Sequence, residues 1–387
     1  MCFNTHPAKA KTRFATAIAL SFVFISAPVE MPTASADPPS VEALLKSTFD
    51  RVAGSQTGGA AVFPDTKSDW FNHSVSLPTV DFDGETYRMW FVGHTMTSDP
   101  GIPYGWYERI GLATSRDGLH WEIANEGRPV LDLGPAGTFD DCGLAHPFVL
   151  RVGDQFMMWY GGIDGRAGRD VGVGPAHVRV EQIGLATSSD GVHWARANDS
   201  HPVLEIGPPG SIDAVQATGC HVIRRGDEFA MWYGAYNGAH TVGMATSPDG
   251  IHWTKENGGQ AVTGLLGTGK LGPSVHFDGS RYLMLYNTAW STGGGPEGLW
   301  TTFAATSSDG VHWDSALDHQ SLLGPAPPGN FGSADGKRGN NHVVHPTKMI
   351  FLDGRVRVWY GAEGNQPAAG TNYGHSAVGL MEAKIAR

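Results

Sequence analysis

ATSRDGLHW at 113–121, ATSSDGVHW at 186–194, ATSPDGIHW at 245–253 and ATSSDGVHW at 305–313 are one motif written four times. A fixed-period repeat marks a solenoid, a propeller or an array. The period of about 60–73 residues is too long for helical repeats and suits a unit of four antiparallel strands. Upstream of each copy an apolar strand ends in a tight turn: DFDGET at 81–86, RVGDQ at 151–155, RRGDE at 224–228, HFDGS at 276–280 and LDGR at 352–355. A second strand follows, as YRMWFVG, FMMWYGG, FAMWYGA, YLMLYNT or VRVWYGA. Runs rich in Val, Met, Tyr and Trp, bounded by Asp-Gly turns, read as β-hairpins.

The first hairpin occurs five times, which predicts an all-β chain. The expected fold is a five-bladed β-propeller of four-stranded antiparallel blades. The last blade has a third strand, SAVGLMEAKI at 376–385, but no DGxHW after it. An N-terminal outer strand is expected to complete it, with AVF (61–63) standing where PVL stands at 129–131 and 202–204. Such closure joins the first and last blades and removes two sheet edges.

Residues 1–36 read as a secretory signal peptide. Lys9, Lys11 and Arg13 precede the apolar core FATAIALSFVFISA (14–27), and ASA (34–36) is a small-residue cleavage site. The expected layout is a signal peptide at 1–36, a lead-in at 37–58 and one propeller domain at 59–387. A secreted or periplasmic, monomeric protein is expected. No later stretch is long and apolar enough to span a bilayer. Without the signal, 27 basic and 38 acidic residues become 24 and 37, and the formal charge moves from −11 to −13. That balance argues against nucleic acid or an anionic membrane as partner. Cys142 and Cys220 fall near the inner strands of blades 2 and 3. They are read either as a disulfide stapling the two blades or as two buried thiols.

Connections alternate between two faces. The turns from strand 1 to 2 and from 3 to 4 are uniformly short. The others are long, including 93–109, 161–182, 287–300 and 361–375. Long loops on a rigid scaffold are where sites are built, so the site is expected at the axial mouth of the elaborated face. This demotes the motif: Asp117, Asp190, Asp249 and Asp309 are expected to bond their own turn backbone. Trp121, Trp194, Trp253 and Trp313 are expected to pack between blades. The motif resembles the structural Asp-box of sialidase propellers.

Aligning the inner strands brings His73, Asp141, His146, Gln216, Lys270, His342 and His345 toward the axis. Asp140 and Asp213 share one aligned position, which favours a structural role. Glu363 stands where blade 5 leaves for its long loop. Trp106, Trp290, Tyr104, Tyr107 and Trp300 are loop aromatics suited to stacking on sugar rings. Arg166, Arg169 and Arg179 either contact an acidic sugar or are solvated.

Across about residues 60–385, the MWYG and GLATSxDGxHW strands resemble the five-bladed propeller glycosidases of the arabinanase, invertase and levansucrase type, with the mannoside phosphorylases. The resemblance implies hydrolysis or transfer at a glycosidic bond of a carbohydrate by axial carboxylates, one as acid and one as nucleophile or base. It implies an Asp on blade 1, an Asp on blade 2 and a Glu on blade 3. Blade 2 matches with Asp140 or Asp141. Blade 1 offers Asn72 and His73, with Asp69 earlier. Blade 3 offers Asp213, and Gln216 in place of Glu. Some related neoagaro-oligosaccharide hydrolases use a His as acid, which leaves that role open to His73, His146 or His342. The expected catalytic set is Asp141, Asp213, Glu363 and His73. Substrate is expected on His146, Gln216, His342, Trp106, Trp290 and Arg166. No cofactor is required by this reading. Axial histidines such as His73 and His342 leave open a calcium or transition-metal ion. Two alternatives stand beside the hydrolase: a catalytically inactive glycan-binding propeller, and a metal-dependent enzyme of another class.

Overall fold

The computed structural model describes residues 38–52, 62, 64–98, 105–164, 179–289, 300–317, 322, 343–367 and 374–386. The chain enters with helix α1 (Val41–Leu45) and strand β1 (Asp50–Val52). A first antiparallel meander follows: β2 (Ser74–Phe82), β3 (Tyr87–Met96), β4 (Trp106–Ser115) and β5 (Glu122–Ile123). The second runs through β6 (Gly143–Val152), β7 (Gln155–Asp164), β8 (Val180–Ser188) and β9 (Ala195–Arg196). The third comprises β10 (Gln216–Arg225), β11 (Glu228–Tyr236), β12 (His240–Ser247) and β13 (Thr254–Lys255). The fourth comprises β14 (Thr268–Phe277), β15 (Tyr282–Ala289), β16 (Trp300–Ser307) and β17 (Trp313–Ser315). The last sheet holds β18 (Val343–Pro346), β19 (Ile350–Leu352), β20 (Arg355–Pro367) and β21 (Gly374–Lys384). The architecture is all-β, as the alternation of apolar runs and Asp-Gly turns predicts.

The second strands are apolar on both sides because sheets cover both of their faces. Met89, Trp90, Phe91, Met158, Trp159 and Tyr160 are all buried. The core lies in layers between adjacent sheets: Phe148, Trp159 and Leu185 pack with Val222, Met231 and Tyr233.

The repeated motif makes the seams. In each copy Ser, Asp and backbone form a closed knot: Ser115 Oγ donates to Asp117 Oδ1 at 3.0 Å, and the Leu119 and His120 amides donate to the same oxygen at 2.8 Å. The His120 Nδ1 atom lies 2.6 Å from Asp117 Oδ2. The knot turns the glycine carbonyl outward, where it accepts the indole N–H of the preceding meander's second strand. Trp90 reaches Gly191 at 2.9 Å, Trp159 reaches Gly250 at 2.9 Å and Trp232 reaches Gly310 at 2.8 Å. Trp359 on β20 reaches Gly118 in the first meander at 3.1 Å. The motif tryptophans meet the same indoles edge to face, with Trp194–Trp90 centroids 6.0 Å apart. Both expectations for the motif, turn-bonding aspartates and inter-sheet tryptophans, hold. The inner strands share a further device: a register break with a left-handed residue at Leu77, His146, Gly219 or Gly272.

The fourth meander has Leu285 where the others have Trp, and the last sheet has no DGxHW, so that seam lacks the indole bond. The entering chain spans it. The Val41 amide donates to Asp278 Oδ2 at 2.8 Å, and His276 Nε2 meets the Pro39 carbonyl at 2.8 Å. β1 pairs with β21 through Arg51–Met381, and Val62 bridges Val378. The outer position of the last sheet is thus shared by Val62, within the expected AVF, and by β1, which lies ahead of the expected start at 59. Cys142 and Cys220 are not joined in a disulfide, which corrects the disulfide alternative. Burial pushes the Cys220 thiol well up.

The motif glycine is constrained twice. At Gly250, φ is +79°, and a Cβ would stand 2.9 Å from the Trp159 ring. At Gly226, φ is +63° with open space around it. A left-handed non-glycine residue costs about 1–3 kcal/mol, so Gly226→Ala is expected to lose about that much in urea unfolding. Gly250→Ala is expected to lose more. The motif aspartates give an acid limb. For Asp117, burial acts to raise the carboxyl, but bonds from His120 and Leu119 outweigh it and hold it below the usual range. A depressed carboxylate contributes stability above its unfolded value of about 3.9, lost as pH falls toward the folded value. Thermal midpoints are expected to fall below about pH 4, and less steeply in Asp117→Asn.

Candidate functional site

The third strands begin at the loop-rich end, and the first residue rows decide what stands there. Aligned on ATS, the same position is Glu108 in YERIGLATS, Glu181 in VEQIGLATS and His240 in HTVGMATS. Each of the two glutamates sits where one meander touches the next: Glu108 bridges Gly143 of β6, and Glu181 bridges Gln216 of β10, both parallel. Both are 4% exposed, so each carboxylate needs a partner.

Arg179 supplies it to both. Its Nη1 and Nη2 donate to Glu108 Oε1 and Oε2 at 2.8 and 2.7 Å, and its Nε donates to Glu181 Oε1. Glu108 also accepts from Trp106 Nε1 at 3.0 Å and lies 3.3 Å from His94 Nε2. Gln216 Nε2 donates to the Arg179 carbonyl at 3.0 Å, tying in the third meander. Burial alone would raise the Glu108 carboxyl, but the Arg179 charge and His94 outweigh it and hold it far below the usual range. Arg179 is raised for the reciprocal reason, its two carboxylates outweighing burial. Glu181 Oε2 and Thr218 Oγ1 are buried without a hydrogen-bond partner.

His146 stands beside this cluster. An axial cavity is lined by Leu77, His146, Gly219, Gly272 and Pro346, one residue from each inner strand, among others. Burial, then the Arg179 charge, push the His146 imidazole down to about 3. His240 is lowered by burial. A neutral imidazole, an ionised carboxylate and an amide therefore share one mouth, a set able to orient hydroxyls and move a proton.

Of the residues expected from sequence, His146, Gln216 and Trp106 come together here. The His73 amide donates to the His94 carbonyl at 3.1 Å at the entrance of β2. Asp141 caps its loop, accepting from the Gly137 amide at 2.7 Å, while its Oδ1 is buried without a partner. Asp213 is 1% exposed and bonded to Tyr233 at 3.1 Å, Ser211 at 2.9 Å and Lys255 at 2.5 Å. Asp140 repeats that arrangement with Tyr160, Thr138 and Arg196. Glu363 stands opposite Ser376 on β20, its side chain outside the described residues. His342, Trp290 and Arg166 also lie outside them. Among the described residues no cluster of three or more His, Cys, Asp or Glu is placed to hold a metal. Glu108, Glu181 and His94 were not singled out from sequence. Their signal was a Glu two residues before IGLATS in two repeats.

Arg179→Met removes the guanidinium that two buried carboxylates share. Removing one partner of a buried ion pair costs about 3–5 kcal/mol, and a loss of that size is expected in urea unfolding. Adding Glu108→Gln and Glu181→Gln is expected to restore much of it.

No family model matches the chain. It is 26% identical over 265 residues to an uncharacterized protein of Mycobacterium tuberculosis, covering 66% of this chain and 80% of that one. It is 27% identical over 297 residues to the A type blood N-acetyl-α-D-galactosamine deacetylase of Flavonifractor plautii, covering 66% of this chain and 36% of that protein. A solved glycoside hydrolase superposes with a TM-score of 0.63 at 19% identity, covering 86% of this chain and 92% of its own. A structure from the GH130 family of mannoside phosphorylases, which contains glycoside hydrolases that target β-1,2 mannosidic linkages in Candida mannan, superposes with a TM-score of 0.60 at 15% identity, covering 86% and 93%. The chain has the fold of the propeller-type glycoside hydrolases.

Proposed function

We propose that this chain is an exported glycoside hydrolase, built as a five-bladed propeller and acting on a glycan at its axial mouth. The observation that carries the reading is the Glu108–Arg179–Glu181 cluster beside the axial cavity, at the loop-bearing ends of the third strands. The Trp359–Gly118 bond, which ties the last sheet to the first, supports a closed ring.

In this reading Glu108 stays ionised through the cycle, because Arg179 and His94 hold its proton off. An ionised carboxylate serves as base, nucleophile or charge stabiliser, not as the acid. Glu181, whose second oxygen has no partner, is the one placed to meet a sugar hydroxyl or a water. The proton-donating role is assigned to His73, at the entrance of β2; His146, whose imidazole is held neutral, is placed to accept instead. Asp141 is assigned to the loop that it caps and Asp213 to the third meander that it bonds, not to the reaction.

The deacetylase relative favours a second reading. The same mouth would then remove an acyl group from a sugar and leave the glycosidic bond intact.

Incubating residues 37–387 with arabinans, fructans, mannosides, galactans and agaro-oligosaccharides, with and without chelator, separates the cases. Reducing-end product from one class is expected, reduced at least about 100-fold in Glu181→Gln. A folded protein that releases no reducing ends from any of them overturns the hydrolase reading. Loss of product with chelator would put an ion on the axial histidines.

A further inference from the structure

In the first meander one row of cross-strand neighbours is polar from inner strand to outer: Ser74 on β2 faces His94 on β3, which faces Glu108 on β4. Ser74 Oγ lies 3.0 Å from His94 Nδ1, and His94 Nε2 lies 3.3 Å from Glu108 Oε1. The equivalent row is Gly143, Ile163 and Glu181 in the second meander, and Gln216, Tyr236 and His240 in the third. The repeat therefore does not require a serine next to a histidine here; the sequence departs from its own pattern to place them.

The protonation follows from the partners. Glu108 is fixed as an anion by Arg179 and Trp106, so it accepts, and His94 Nε2 is the ring nitrogen that faces it, at 3.3 Å. The Nδ1 atom is then the acceptor, and the nearest donor is the Ser74 hydroxyl; the Ser74 carbonyl, at 3.4 Å, is the longer contact. A serine bonded to a histidine that a carboxylate orients is the arrangement that activates a hydroxyl for acyl transfer. Ser74 keeps 7% of its surface at the loop end of the inner strand.

We propose that Ser74 is the nucleophile of an acyl-transfer reaction on acylated glycans, with His94 as its base and Glu108 as the positioning carboxylate. This rests on the reading of the mouth as a glycan site, and not on cleavage of the glycosidic bond. Ser74 Oγ bonds to the acyl carbonyl carbon while its proton passes to His94 Nδ1. The tetrahedral adduct collapses, the bond from carbon to the sugar oxygen or nitrogen breaks, and the leaving sugar takes the proton from His94. Water, deprotonated by His94, then attacks the acyl-serine, releasing the carboxylic acid and restoring Ser74.

Residues 37–387 would be treated with a fluorophosphonate probe and mapped by mass spectrometry. Acetate and reducing ends would be measured in separate assays on O- and N-acetylated chito-oligosaccharides. Labelling at Ser74, with acetate release lost at least about 100-fold in Ser74→Ala and in His94→Gln, is the expected result. Folded wild-type protein that leaves Ser74 unlabelled overturns the proposal, as does acetate release that survives Ser74→Ala. Labelling of the wild type does not depend on how the variants fold. Acetate without reducing ends would refute glycosidic cleavage alone. Reducing ends with neither label nor acetate would refute the serine alone.

Discussion

The indole-to-glycine hydrogen bond between neighbouring meanders is the interaction on which the structure depends. It joins a fully buried indole of one sheet to the motif turn of the next. Each partner is shaped for it: the aspartate knot aims the carbonyl, and the absence of a Cβ lets the ring approach. A motif repeated for this purpose leaves little freedom for chemistry, because a change that suits a ligand in one copy would break a seam. The candidate site lies elsewhere, at the opposite ends of the same strands.

That end shows how a repeated scaffold can gather an unrepeated cluster of side chains. Position by position, the rows begin alike and then diverge. Glu108 and Glu181 occupy one place in two meanders, His240 the same place in a third. Arg179 lies one residue ahead of β8 and reaches back to the first meander. Two like charges become tolerable because one guanidinium divides its donors between them. The cluster spans a seam, so the geometry of the mouth depends on the packing that the tryptophans enforce.

Much of the fold was legible because the turn chemistry and the strand patterns repeat, and repetition exposes what is structural. The same logic correctly set Asp140 beside Asp213 as a matched pair. It gave no help with Arg179, read as a contact for an acidic sugar or a solvated loop residue, because nothing in the sequence says which carboxylates it faces. Glu108 was hidden for a related reason: a Glu at the start of a strand reads as solvent-facing until the neighbouring inner strand is seen to cover it. The strap was hidden too. DRV at 50–52 carries no turn or alternation to mark it as a strand, and its partner lies at the other end of the chain.

That strap sets the order in which the molecule can be completed. β1 is held by β21, so the earliest strand made has no sheet to join until the latest has formed. The inner seams need only adjacent repeats and can form as each one arrives. The seam without a tryptophan cannot, since its bridge waits on contacts more than three hundred residues apart along the chain. Such long-range pairings are slow to close. Until the last repeat is in place, the entering chain is anchored only by its contacts with the fourth meander, and the final strand pairing closes over it.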